Sequence, residues 1–144
     1  MLALVRILIG LVFLIAGLEK LLSPYQNFLY VIQAYQVLPA AGENLTARVF
    51  PWVELFAGLF TVLGLWTPWS LKANLVLNSI FITVVGQALL RGLDIDQCGC
   101  FGSLAHISLQ QVLVLDSVLL LSIVYLLCHL SKANQFSLDR LFEK

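Results

Sequence analysis

The sequence predicts an all-α integral membrane protein: a four-helix bundle with a short interfacial helix between its first and second spans. Three observations predict it. Of 144 residues, 60% are hydrophobic and only 11% charged, with a mean hydropathy of +0.96, far more apolar than an average soluble domain. A helix needs about 20 mostly apolar residues to cross a bilayer, and the chain offers four such stretches, at about 2–22, 46–66, 71–91 and 107–130. Between the first two, Tyr25, Phe28, Leu29 and Ile32 recur at helical spacing among polar residues, the pattern of a helix lying in the interface. The same stretch also reads as an ordinary surface loop. The net charge is zero and no basic run suggests nucleic acid. No repeat or low-complexity tail appears, so residues 1–144 read as one membrane domain.

Taken in order, the first span is too long for a signal-peptide core and no small-residue cleavage site follows it, so it is read as retained. Arg6, Gly10, Phe13, Gly17 and Lys20 fall on one face of it. Gly10 and Gly17 would let a neighbouring helix approach closely. Ser23-Pro24 ends the helix, and Pro39 and Gly42 are expected to break the chain before the second span. In that span Pro51 sits near the start, where proline is tolerated. Glu54 follows, on a face with Gly58 and Thr61. Thr67-Pro68-Trp69-Ser70 reads as a tight turn, and Trp66 and Trp69 suit a membrane interface. The third span carries Asn74, Asn78, Ser79, Thr83 and Gln87, which predicts that it faces other helices more than lipid. Asp116 lies inside the fourth span, and the tail 131–144 is polar.

Four spans put both termini on one side. That side holds Arg6, Lys72, Lys132, Arg140 and Lys144, and the other holds Lys20, Arg48 and Arg91. The positive-inside rule then places both termini in the cytoplasm of a bacterial cell and the loop 92–106 in the periplasm. Lys20, Glu54, Arg91 and Asp116 all fall in the half nearer that loop, with Glu54 expected a turn or two below the end of its span. Ionisable residues within a membrane are costly and usually pair, so Lys20–Glu54 and Arg91–Asp116 pairs are expected, either as part of a functional site or only to fix helix register.

The chemistry concentrates in Cys98-Gly99-Cys100-Phe101-Gly102. Thiols at i and i+2 can close a small, strained and readily exchanged disulfide ring. Gly99 permits the dihedrals such a ring needs. A bridge closing so short a loop adds little stability, which favours redox work over stapling. Free thiols in an inert turn, or two metal ligands, remain open alternatives on spacing alone. His106 could relay a proton or bind a metal beside them, or be a solvated loop histidine. Asp94 and Asp96 would oppose thiol activation and Arg91 would favour it. Cys128, some 30 Å of helix away, cannot resolve the pair.

Arg91-Gly92 followed by Cys98-Gly99-Cys100-Phe101-Gly102 after three apolar spans resembles the MauE proteins of the DoxX-like membrane group. Gly17-Leu18-Glu19-Lys20, Tyr35 with Leu38-Pro39, and Glu54 with Gly58 agree. The resemblance implies disulfide handling beside a periplasmic thioredoxin-like protein. The arrangement is also similar to vitamin K epoxide reductase and DsbB, four-helix bundles with cysteines above a quinone. The resulting expectation is a membrane thiol–disulfide oxidoreductase in which Cys98 and Cys100 exchange a disulfide with a thioredoxin-like or other cysteine-containing substrate protein. Electrons would pass to or from a quinone, ubiquinone or menaquinone, which follows from the resemblance. Lys20, Trp52, Glu54, Phe101 and Asp116 are its expected neighbours, with Arg91, Gly99, Gly102 and His106 in support. The alternatives are a non-enzymatic anchor for a thioredoxin-like maturation protein, and metal or small-solute passage with Cys98, Cys100 and His106 at the mouth.

Overall fold

A computed structural model describes residues 2–92 and 108–130, all of them helices and short connections. The helices are α1 (Leu2–Leu22), α2 (Tyr25–Tyr35), α3 (Ala40–Leu63), α4 (Thr67–Leu90) and α5 (Leu109–Cys128). All but α2 are long and apolar enough to cross a membrane. The segment with Cys98, Gly99, Cys100, Phe101, Gly102 and His106, and the tail 131–144, lie outside the described residues.

The closest helix pair is α1 and α3, which run antiparallel and in near-contact. A Cβ added to Gly10 would stand 2.8 Å from the Val62 backbone nitrogen, and one on Gly17 2.6 Å from that of Leu55. From the other side, a Cβ on Gly58 would collide with the Leu14 backbone. Three glycines therefore bring two backbones together where no larger residue fits, the usual route to tight packing in lipid. The face of α1 with Arg6, Gly10, Phe13, Gly17 and Lys20 is buried along its length, as its spacing predicts. Leu71 and Leu77 of α4 join Ile123 and Leu126 of α5 and Ile9 and Phe13 of α1 in the main core.

Both ends of the bundle follow from this antiparallel order. One end holds the start of α1, the α3–α4 turn and the end of α5; it is called here the turn end. At the other are the end of α1, α2, the start of α3, the end of α4 and the start of α5. The cysteine-bearing segment joins α4 to α5 there, so this is the cysteine end.

Two boundaries differ from expectation. Pro39 does not break the chain but sits in an extended conformation as the N-cap of α3, whose first residue is Ala40. Gly42 is then an ordinary helical residue. A proline ahead of the first turn removes only a backbone N–H that a helix start leaves unbonded. The helix thus begins six residues before the apolar run. Thr67-Pro68-Trp69-Ser70 is likewise not a free-standing turn but the first turn of α4, with proline at an early position. The reversal itself is made by Gly64 and Trp66, both with positive φ, 68° and 45°. The short segment between the first two spans is helical. α2 packs through Phe28 and Tyr35 and stops at Gln36, which is left-handed at φ 50°.

Candidate functional site: a buried ion pair beneath the cysteine end

Lys20 and Glu54 form a buried ion pair, Nζ to Oε2 2.8 Å, with both side chains 2% exposed. Their meeting was expected, but its depth was not. With α3 starting at Ala40, Glu54 lies fourteen residues in, about 21 Å along the helix, well below the end of its span. Helical side chains lean toward their own N-terminus. In an antiparallel pair, Lys20 therefore leans down into the bundle and Glu54 leans up, and the two heads meet between their Cα levels.

Aromatic rings surround the ammonium. Lys20 Nζ lies 5.5 Å from the ring centroid of Phe28 on α2 and 5.2 Å from that of Phe81 on α4, within cation–π range. Phe50 of α3 links them, edge-on to Phe81 at 5.4 Å and tilted against Phe28 at 6.4 Å. Glu19, the residue before Lys20, is also buried and accepts a hydrogen bond from Ser23 Oγ, one turn on, at 2.9 Å.

Asp116 is buried on α5. Asn78 of α4 donates through Nδ2 to its backbone oxygen at 2.9 Å. A void of about 30 Å³ lies between Glu54, Asn78 and Asp116, walled by Phe13, Ala16 and Phe81. Glu54 and Asp116 thus face one small space from opposite helices. Deeper, Asn74 donates to Thr61 Oγ1 at 2.8 Å, and Thr61 donates to the Ala57 carbonyl.

The expected residues divide accordingly. Lys20, Glu54 and Asp116 come together. Trp52 does not join them: it is 51% exposed on the outer face of α3 and stacks on Phe56, with centroids 6.1 Å apart. The expected Arg91–Asp116 pair is absent. Arg91 caps α4 with an exposed side chain and makes no ion pair among the described residues. Asp116 is seven residues into α5, about 10 Å below its start, whereas Arg91 stands past the end of α4, where its charge stays hydrated. The polar residues of α4 also split by face. Asn74 and Asn78 are buried, while Ser79, Thr83 and Gln87 are exposed. Ser79 and Thr83 satisfy their hydroxyls on carbonyls four residues back, at 2.7 and 2.8 Å, so they can face lipid at little cost. No cluster of three or more histidine, cysteine or carboxylate side chains suited to a metal occurs among the described residues.

The Phe28–Phe50–Phe81 group was not anticipated. Its members come from three helices, and each looks like ordinary apolar lining on its own. The only hint was Phe28, one of the apolar stripe of α2.

Four apolar helices closed around a buried ion pair and carboxylate define a multi-pass helical membrane protein with an ionisable centre. The profile of one family, described as methylamine utilisation protein MauE, matches residues 1–129. The chain belongs to the MauE family. No curated protein and no solved structure matches it significantly.

Proposed function

We propose that this chain is a membrane thiol–disulfide oxidoreductase of the bacterial inner membrane, with both termini cytoplasmic. Cys98 and Cys100 exchange a disulfide with a periplasmic thioredoxin-like protein or another cysteine-containing substrate protein, and electrons pass to or from a membrane quinone. The observation that supports this most is the buried Lys20–Glu54 pair, set among aromatic rings at the end of the bundle to which α4 and α5 deliver the cysteine segment. An intramembrane ion pair is costly, and function is its default explanation.

In the oxidising direction, a partner thiolate attacks one sulfur of the Cys98–Cys100 bond. A mixed disulfide forms and the other cysteine leaves as a thiolate. A second partner thiol then attacks the mixed disulfide. The partner departs with a disulfide, and Cys98 and Cys100 hold the two electrons as thiols. A quinone, when bound, supplies a two-electron, two-proton acceptor for them. Lys20 Nζ and Glu54 Oε2, 2.8 Å apart, can hold and release a proton inside the bundle. The residues present fit such a group, on one condition. The void beside Glu54 and Asp116, about 30 Å³, matches the volume of a single water. A ring must therefore lie on the far side of Phe28 and Phe81.

Trapping tests the reading. Cys100→Ser and Cys98→Ser proteins, isolated after acid quenching, should carry a partner in mixed disulfide. In Cys128→Ser, mass spectrometry after alkylation should find Cys98 and Cys100 blocked until reductant is added, with activity retained. If both thiols alkylate without reductant under oxidising conditions, or Cys98→Ser keeps full activity, the anchoring role replaces the redox one.

A further inference from the structure

A second cavity, of about 190 Å³, opens between α2, α3 and α4 at the cysteine end. Its wall includes Phe28 and Phe81, the rings that flank the Lys20 ammonium, and Phe50, which packs against both. Ile80 on the outer side of α4 and Val37 and Leu38 on the α2–α3 connection, 47%, 42% and 39% exposed, also line it, so it opens outward, with Ile80 on its bilayer side. Thr46 is half-buried at its rim. The Thr46 hydroxyl makes no hydrogen bond among the described residues.

We propose that this cavity binds a membrane-soluble molecule with one flat ring and an apolar tail. The ring enters from the lipid beside Ile80, lies against Phe28, Phe50 and Phe81, and takes a hydrogen bond from Thr46. Four features select this occupant. Apolar cavities of roughly 150 Å³ lined by aliphatic and phenyl groups stay dry and admit a single benzene ring, so the volume suits one substituted ring. Phenyl walls meeting edge-on and tilted suit an aromatic or quinonoid plane. The unpartnered hydroxyl supplies a donor for a ring oxygen. The mouth beside Ile80 leaves room for a tail in the lipid. A quinone is the member of this class that the thiol-exchange reading calls for, and naming it rests on that reading. The site's existence does not.

The test is photoaffinity labelling of the full chain in nanodiscs with an azido-benzoquinone bearing a ten-carbon tail. Label should map by mass spectrometry to residues 28–35, 46–50 and 80–84, and unlabelled decyl-benzoquinone should displace it. Ile80→Trp, which blocks the mouth from a lipid-facing position, should weaken binding about tenfold. Thr46→Val should weaken it about fivefold, the loss expected for one hydrogen bond. Cys98→Ser/Cys100→Ser protein should bind as the parent does. Label elsewhere, indifference to both cavity variants, or equal displacement by a ring-free phospholipid overturns the site. Saturable label at the cavity without any thiol exchange leaves the site standing and removes the redox reading. Thiol exchange without ring binding does the reverse.

Discussion

Lys20 and Glu54 meet because each side chain leans toward its own helix start, and the two helices run in opposite directions. Neither could be paired by a residue one turn away on its own helix, so the pair measures the α1–α3 register. Breaking a buried pair leaves one uncompensated charge, at a cost of about 3–5 kcal/mol. Glu54→Ala should therefore lower the unfolding midpoint in detergent more than Lys20→Ala/Glu54→Ala does, since the double change removes both charges. The Lys20 contacts with Phe28 and Phe81, worth about 0.5–2 kcal/mol, survive in Glu54→Ala and are lost in the double change, which narrows the difference without reversing it. Simple addition of the two single losses in a thermal-shift cycle would show that the residues do not stabilise each other.

At the scale of the helices, the α1–α3 contact depends on glycine at three positions. Gly58 is the most constrained, because of the three a Cβ there would come closest to facing backbone, at Leu14, which cannot swing aside as a side chain would. Gly58→Ala should cost roughly 1–3 kcal/mol, the range for overpacking a tight contact. Gly86 of α4 has nothing within 4 Å of an added Cβ, so Gly86→Ala should leave the midpoint unchanged or slightly raised. Circular dichroism melts in one detergent compare the two, and an equal drop in both would refute close α1–α3 packing. These glycines were legible in the sequence, since Gly10 and Gly17 stand one face-repeat apart in an apolar run. The four spans were legible for the same reason: apolar length is a local property. The start of α3 was not, because residues 40–45 carry no apolar run and Pro39 reads as a breaker until its place before the first turn is seen. Nor was the cavity beside Phe50, whose emptiness depends on how far α2 stands from α4 and on no single helix. Asp116 was legible as a buried carboxylate, but its partner was not. Arg91 is nearer in sequence to the cysteines, yet Asn78 is what reaches the Asp116 backbone.

For the whole molecule, the open choice is which end faces out. The charge count must be read with burial in mind, because the positive-inside rule concerns residues in the loops beside the membrane. Arg6 and Lys20 are buried in the bundle and drop from opposite sides of the count. Lys72 is left at the turn end, and Lys132, Arg140 and Lys144, which follow α5 in the sequence and lie outside the described residues, count with it against Arg48 and Arg91 at the cysteine end. The bias keeps its direction, so the cysteine end should face the periplasm, where disulfides persist. The chain carries its own reporter for the other end. Cys128 is exposed at the last residue of α5, twenty residues beyond Ser108, about 30 Å of helix. After mild reduction, a membrane-impermeant maleimide applied to intact spheroplasts should label Cys98 and Cys100 and spare Cys128. Cys128 should react only once the membrane is opened. The opposite pattern would put the thiol pair in the cytoplasm, where disulfides rarely last, and would sink both the orientation and the exchange reaction built on it.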